Sequence, residues 1–383
     1  MNNMENFIAY NPTRLHFGKG VVENLGAAAA DLGRKALLVY GKGSVLRNGS
    51  YNDTVNQLKQ QNITVTDYNG IKPNPVVTAV DEAVSLGIDQ KVDMVVAVGG
   101  GSVIDSAKII AVCIAEKVKG WDVMTGKHEP LSSKPLIAVL TLAATGTEMN
   151  PTSVLQNHDT DQKIGFKHPV MFPVHSFLDP TYTQSVPANH TAYGIVDLIS
   201  HSLEAWFGRG DAHLSDRFVL SIIREAMETG PALMNDLTNY TLRERIMWAA
   251  TNALNDTTMH GRVSGDWAVH GLGHTLSYLY DTAHGATLSV FYPAWMRHIG
   301  AKHPKRIIQL GNALFGVETV EETAARFETF FKQLGSPVKA EEAGISNDRS
   351  GEIVQLMNKQ RVSGLNYNLT EAERKAIVEL IMD

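Results

Sequence analysis

The chain of 383 residues is long enough for two domains, because single hydrophobic cores stop growing at about 250 to 300 residues. A hydrophobic fraction of 44%, a charged fraction of 19% and a net charge of -6 fit an ordinary globular protein, and the mixing of acidic with basic residues leaves no basic stripe for nucleic acid and no polybasic membrane patch. The first twenty residues carry Glu5, Arg14, His16 and Lys19 without a long apolar run, no apolar stretch reaches bilayer length, and the single Cys113 lies in an apolar run; no signal peptide, no membrane span and a cytoplasmic location are expected.

Along the chain, short β-branched runs at 36–40, 63–68, 93–98, 136–141 and 174–178 alternate with helix-like segments, the pattern of a parallel sheet wrapped by helices. Beyond Pro187 the strand signals stop. Segments 216–228, 242–254, 320–334 and 371–382 carry apolar residues at helical spacing. This predicts an α/β domain over 1–185 followed by an all-α domain over 186–383.

The first run ends in Tyr40-Gly41-Lys42-Gly43-Ser44. Dinucleotide enzymes that select NAD(H) place a carboxylate near the adenosine ribose, and none stands in this turn. Small residues, Lys42 and Ser44 suit a 2′-phosphate, so NADP(H) is expected in preference to NAD(H), although Lys42 also reads as a solvated loop lysine. The run 94–98 leads into Gly99-Gly100-Gly101-Ser102, and a helix pattern begins at Val103-Ile104-Asp105. A glycine-rich turn opening a helix suits a pyrophosphate, which meets oriented N–H donors and partial positive charge there. The sequence matches neither G-x-G-x-x-G nor a P-loop, and a plain tight turn would read the same way.

In the second half, Asp197 and His201 stand four apart in a helix-like run and share one face. His270 and His274 again lie one turn apart, and His284 follows ten residues later. One carboxylate and three imidazoles, from Asp197, His201, His270 and His284, suit zinc or ferrous iron rather than magnesium or calcium. A lone Asp-x-x-x-His is usually only a local pair, and most of the 14 histidines are expected at the surface or in hydrogen bonds. The second histidine cluster raises the odds of a metal site.

Gly99 to Asp105, Thr141-Leu142-Ala143-Ala144-Thr145-Gly146-Thr147-Glu148, the Asp197/His201 pair and the His270/His274/His284 cluster occur in an order that resembles the iron-activated (group III) alcohol dehydrogenase family. The likeness runs nearly end to end, from Pro12 to Gly20 through Lys72-Pro73-Asn74-Pro75 and Leu178-Asp179-Pro180. It is closest to the NADPH-dependent butanol dehydrogenase and broad-range aldehyde reductase branch, on Tyr40 to Ser44 and Met247-Trp248-Ala249-Ala250-Thr251.

That resemblance implies the dehydroquinate synthase-like architecture of the family and reversible reduction of small aldehydes to primary alcohols. By the same resemblance the metal, Fe2+ or Zn2+, would polarise the carbonyl while NADPH would deliver hydride. It also implies that Asp197, His201, His270 and His284 hold the metal, that Gly99, Gly100, Gly101 and Ser102 bind pyrophosphate, and that Gly41, Lys42, Gly43 and Ser44 take the adenosine end. Asn74 and Asp105 belong to motifs of the same cofactor site. Thr141, Thr145, Asn150, Lys163 and Tyr182 would line the nicotinamide side, with Lys163 and Tyr182 placed by counting across variable loops. His274 is the candidate proton relay, set against a plain hydrogen-bonding role. A homodimer is implied by analogy. Ala143 departs from a frequent proline and Lys42 from a frequent glycine, and the second departure bears on the strength of NADP(H) preference. Competing readings are glycerol dehydrogenase-like and maleylacetate reductase-like oxidoreductases, a dehydroquinate synthase-like lyase, and a non-catalytic metal protein.

Overall fold

A computed structural model describes residues 4–383. Strands β1 (Arg14–Phe17), β2 (Lys35–Gly41), β3 (Thr64–Ile71), β4 (Met94–Gly99) and β5 (Leu136–Leu140) precede an antiparallel hairpin of β6 (Thr152–Asn157) and β7 (Gln162–Lys167), and β8 (His175–Leu178) follows. Six of them form one parallel sheet in the order β1-β8-β5-β4-β2-β3. Its central strands β4 and β5 are unbroken apolar runs, buried throughout, as a sheet covered on both faces requires.

Alternation along the strands divides two cores. Leu37, Val39, Val95, Ala97, Ala138 and Leu140 face one side with residues of the Val77–Gln90 and Gly101–Glu116 helices. Ala36, Leu38, Met94, Val96, Ile137 and Val139 face the other, with Leu25, Ala29, Val55 and Leu58. Cys113 is fully buried in the first core, and burial pushes its thiol up to about 12, so it acts as a small apolar residue.

After β2 the chain crosses to β3 on one side, then returns to place β4 on the other side of β2, with β5 beyond. The strand order therefore reverses between β2 and β4. Their pairing sets Tyr40 opposite Val98, so the turns that begin at Gly41 and Gly99 leave the sheet side by side at its carboxyl edge. Open α/β sheets bind ligands at such a reversal.

Of the described residues, one compact unit holds Tyr10–Val186 and Leu237–Thr251, and the other holds residues 4–9, Pro187–Asp236 and Asn252–Asp383. Each unit is drawn from separate stretches of the sequence, where a single boundary after residue 185 is expected from the sequence. Most of the Tyr240–Ala253 helix belongs with the sheet: Met247 enters the first core, Thr251 Oγ1 donates to Glu148 Oε1 at 2.6 Å, and Arg243 donates to the Val186 carbonyl at 3.3 Å. Helical periodicity reports a buried face but not which core that face joins.

The second unit is helical among the described residues. Two of its helices, Ala188–Phe207 and His284–Gly300, are buried on nearly every side along most of their length, the mark of central rather than surface helices. No helix of the described residues is long and apolar enough to cross a membrane.

Candidate metal centre and nucleotide-binding turns

The Ala188–Phe207 helix carries Asp197 and His201 on one face, as the four-residue spacing predicts. His270 stands in the first turn of the Ala268–Tyr280 helix, and His284 opens the His284–Gly300 helix after a short connection. Around Asp197 Oδ1 lie His201 Nδ1 at 3.6 Å, His284 Nε2 at 3.8 Å and His270 Nε2 at 3.9 Å. Asp197, His201 and His270 are each at most 6% exposed. Their ligating atoms lie within 4.8 Å of one another.

These separations are too long for direct hydrogen bonds. They suit donors that share an ion at about 2.0–2.2 Å from each. His201 Nδ1 is buried without a hydrogen-bond partner, a costly arrangement for a polar atom unless something else satisfies it. Burial, reinforced by the neighbouring His270, holds His201 well below the usual imidazole range and therefore neutral, the form that binds a metal. The donor set fits a transition-metal ion.

Glu204, absent from the sequence reading, completes this arrangement. It lies three residues after His201 on the same helix and is 1% exposed. Its Oε1 accepts from His270 Nδ1 at 2.7 Å, which leaves Nε2 as the lone-pair nitrogen turned toward Asp197. It also accepts the backbone N–H groups of His270 at 3.2 Å and Trp267 at 2.5 Å. The second of these bonds fastens Trp267 at φ 67°, a left-handed conformation that bulky residues rarely adopt. The available signal was spacing: 197, 201 and 204 fall on one helical face. Glu204→Gln is expected to weaken metal binding about ten- to a hundredfold in a chelator competition, and unchanged affinity would remove Glu204 from the site.

His274 is one turn beyond His270, its ring centroid 5.2 Å from that of His284. It stands beside the cluster and outside the group formed by Asp197, His201 and His270.

In the sheet unit, Gly99 ends β4 and Gly101 begins the Gly101–Glu116 helix. A Cβ on Gly101 would lie 2.8 Å from Thr145 Cγ2, and one on Gly100 would lie 3.1 Å from Leu142 Cβ, so the loop after β5 rests directly on this turn. Thr141 N–H donates to the Gly99 carbonyl at 3.0 Å. The structure thus brings Gly99, Gly100, Gly101, Thr141 and Thr145 together. Asn150 anchors the same loop by donating to the Gly146 carbonyl at 2.9 Å.

Lys163 and Asn74 also meet, with Nζ donating to Oδ1 at 2.7 Å. Tyr182 is buried in the core cluster that contains Tyr40 and Val45, and its hydroxyl donates to Asp53 at 2.8 Å. Asp105 has its carboxylate taken up inside the protein, accepting from Thr147 Oγ1 at 2.5 Å and Val154 N–H at 2.9 Å. In the first turn Lys42 and Ser44 are exposed and Gly43 adopts φ 68°. Arg47 Nη1 lies 3.3 Å from where a Gly43 Cβ would be, which adds a cation that the sequence reading overlooked.

The family model for iron-containing alcohol dehydrogenases matches residues 12–180, and that for the C-terminal part of the Fe-containing alcohol dehydrogenase family matches residues 191–383. The chain is 42% identical over 359 residues, 91% of its own length and 92% of the relative's, to the "Probable NADH-dependent butanol dehydrogenase 1" of Bacillus subtilis (strain 168). It is 34% identical over 389 residues, 98% and 99% of the two chains, to the "NADPH-dependent aldehyde reductase YqhD" of Escherichia coli (strain K12). Among solved structures, the NADH-dependent butanol dehydrogenase A from Thermotoga maritima is similar with a TM-score of 0.95 and 36% identity, covering 100% of both chains. The chain belongs to the iron-containing alcohol dehydrogenase family.

Proposed function

We propose that the protein is a metal-dependent alcohol dehydrogenase that reduces small aldehydes such as butanal to primary alcohols, with NADP(H) as cofactor. The observation that carries this reading is the set of three imidazole nitrogens 3.6, 3.8 and 3.9 Å from the buried Asp197 Oδ1. When bound, an Fe2+ or Zn2+ ion supplies Lewis acidity toward a carbonyl oxygen, and the nicotinamide supplies or accepts hydride.

The protein's own residues do the rest in this reading. Asp197, His201, His270 and His284 hold the ion, and Glu204 orients His270. Backbone N–H groups of the Gly99–Ser102 turn bind pyrophosphate at the start of a helix. Thr141, Thr145, Asn150, Lys163 and Tyr182 line the nicotinamide side, Asn74 belongs to the same cofactor site, Gly41 to Ser44 receive the adenosine end, and His274 carries a proton at a ring nitrogen.

The preference for NADP(H) rests on a turn without a carboxylate, on the exposed Lys42 and on the Arg47 guanidinium beside Gly43. NAD(H) use has its own support, since the Bacillus subtilis and Thermotoga maritima relatives carry NADH in their names. A lyase acting on a phosphorylated, carboxylated substrate gains no support: the one lysine or arginine between Gly261 and Gly285 is Arg262, which is buried and paired with Asp216.

The test is the initial rate of NADPH oxidation with butanal, with NADH in parallel, before and after chelation. Loss of the rate on chelation and its return with ferrous ion or zinc is the expected result. Oxidation of neither cofactor by metal-loaded protein would overturn the proposal, and a faster rate with NADH would overturn the cofactor preference alone.

A further inference from the structure

The Gly101–Glu116 helix carries a lysine with no exposed surface. Lys108 lies in the apolar stretch 103–114, where an ammonium group is out of place unless fully satisfied. All three of its protons find acceptors: Thr147 Oγ1 at 2.6 Å, the Thr152 carbonyl at 2.7 Å and Asn150 Oδ1 at 3.2 Å. Thr147 passes its own proton toward Asp105 Oδ1 at 2.5 Å. Asp105 also accepts Val154 N–H at 2.9 Å, while its backbone carbonyl accepts Ser153 Oγ at 2.8 Å. One turn of helix thus binds Thr147, Asn150, Thr152, Ser153 and Val154.

The other end of this segment touches the glycine turn. Thr145 packs where a Gly101 Cβ would be, at 2.8 Å, and its Oγ1 accepts Thr147 N–H at 3.3 Å. Glu148 faces the same buried region, held by Thr251 Oγ1 at 2.6 Å. The ammonium is thus positioned to balance two buried carboxylates, Asp105 and Glu148. Between Thr145 and the start of β6 at Thr152 the chain is loop with a single 3-10 turn, Thr147–Met149, and the bonds from Lys108 and Asp105 tie this stretch and the first residues of β6 to the helix that the glycine turn opens.

We propose that Lys108, acting with Asp105 through Thr147 and Asn150, is a positioning residue that holds the Thr145–Val154 segment against the Gly99–Ser102 turn and so prebuilds the nucleotide site. The inference rests on reading that turn as the dinucleotide site. A buried ion pair that served only stability would be replaceable by apolar groups of similar volume. A positioning pair would not be, because an apolar side chain offers no donors to Thr147, Asn150 and Thr152.

The test compares Lys108→Met, Thr147→Val and the double variant Asp105→Asn/Lys108→Met with the unaltered protein. Three quantities are read: melting temperature, hydrogen exchange of the 145–154 amides without nucleotide, and the NADPH dissociation constant by nucleotide fluorescence without aldehyde. Lys108→Met is expected to raise exchange across 145–154 and to weaken NADPH binding at least tenfold. The double variant, which removes the ammonium together with one of its two carboxylates and leaves Glu148 bonded to Thr251, is expected to recover part of the lost melting temperature without recovering NADPH affinity, and it serves if the single variant does not fold.

A double variant that binds NADPH within about twofold of the unaltered protein, with native exchange, would overturn the proposal and leave Lys108 a stabilising residue. Failure of the unaltered protein to bind NADPH or NADH would instead overturn the dinucleotide reading, and this inference with it.

Discussion

Asp197→Ala is expected to lower turnover at least about a thousandfold and to leave the protein unable to retain a stoichiometric divalent metal. Metal-assisted stabilisation of developing charge is worth several kcal/mol, and each factor of ten in rate corresponds to about 1.4 kcal/mol. Asp197 is the one anionic donor of the cluster, and all three imidazole nitrogens are arranged about its Oδ1. Without it, three neutral donors remain, with no charge to offset that of a dication. The fold should tolerate the change, since removing a buried carboxylate also removes its desolvation cost. Asp197→Asn keeps the volume and makes the stricter comparison. Metal content after dialysis, together with the melting curve of the metal-free protein, checks the expectation, which fails if either variant keeps one tightly held ion.

Much of this site was legible in the sequence because it follows helical periodicity. Asp197 and His201 converge through a spacing of four. Glu204 obeys the same periodicity, but carboxylates are common on helices, and nothing in a sequence marks this one as 1% exposed and bonded to His270. The parallel strands were legible where both faces are buried, as in β4 and β5. The edge strand β1, Arg14-Leu15-His16-Phe17, has four residues and alternates charged or polar with apolar side chains, so it carries little strand signal on its own.

The adjacency of the two glycine turns was not legible. Gly41 and Gly99 are 58 positions apart, and only the return of the chain across β2 makes their strands neighbours. Asp105 shows a related difficulty. Its motif marks it for the cofactor site, whereas its carboxylate serves Thr147 and Val154 within the fold.

Gly285→Ala carries the second large expected effect, and it follows from packing rather than from a donor. A Cβ at this position would lie 2.1 Å from the Tyr193 carbonyl oxygen, 2.7 Å from Tyr193 C and 2.8 Å from Tyr193 Cα. Those atoms are backbone of the Ala188–Phe207 helix, one turn before Asp197, and cannot rotate away as a side-chain tip would. The methyl group must therefore push the start of the His284–Gly300 helix from its neighbour. Overpacking of this kind costs about 1–3 kcal/mol or more. The displaced residue next to it is His284, whose Nε2 stands 3.8 Å from Asp197 Oδ1, so metal affinity should fall together with stability. Gly351→Ala is the matching control: that glycine lies in a helix, meets nothing within 4 Å, and should be neutral or stabilising by up to about 1 kcal/mol. Denaturant midpoints and metal titrations on both variants separate the outcomes. A Gly285→Ala protein as stable as the parent and with undiminished metal affinity would show that the two helices separate without cost, and that His284 does not depend on their backbone contact.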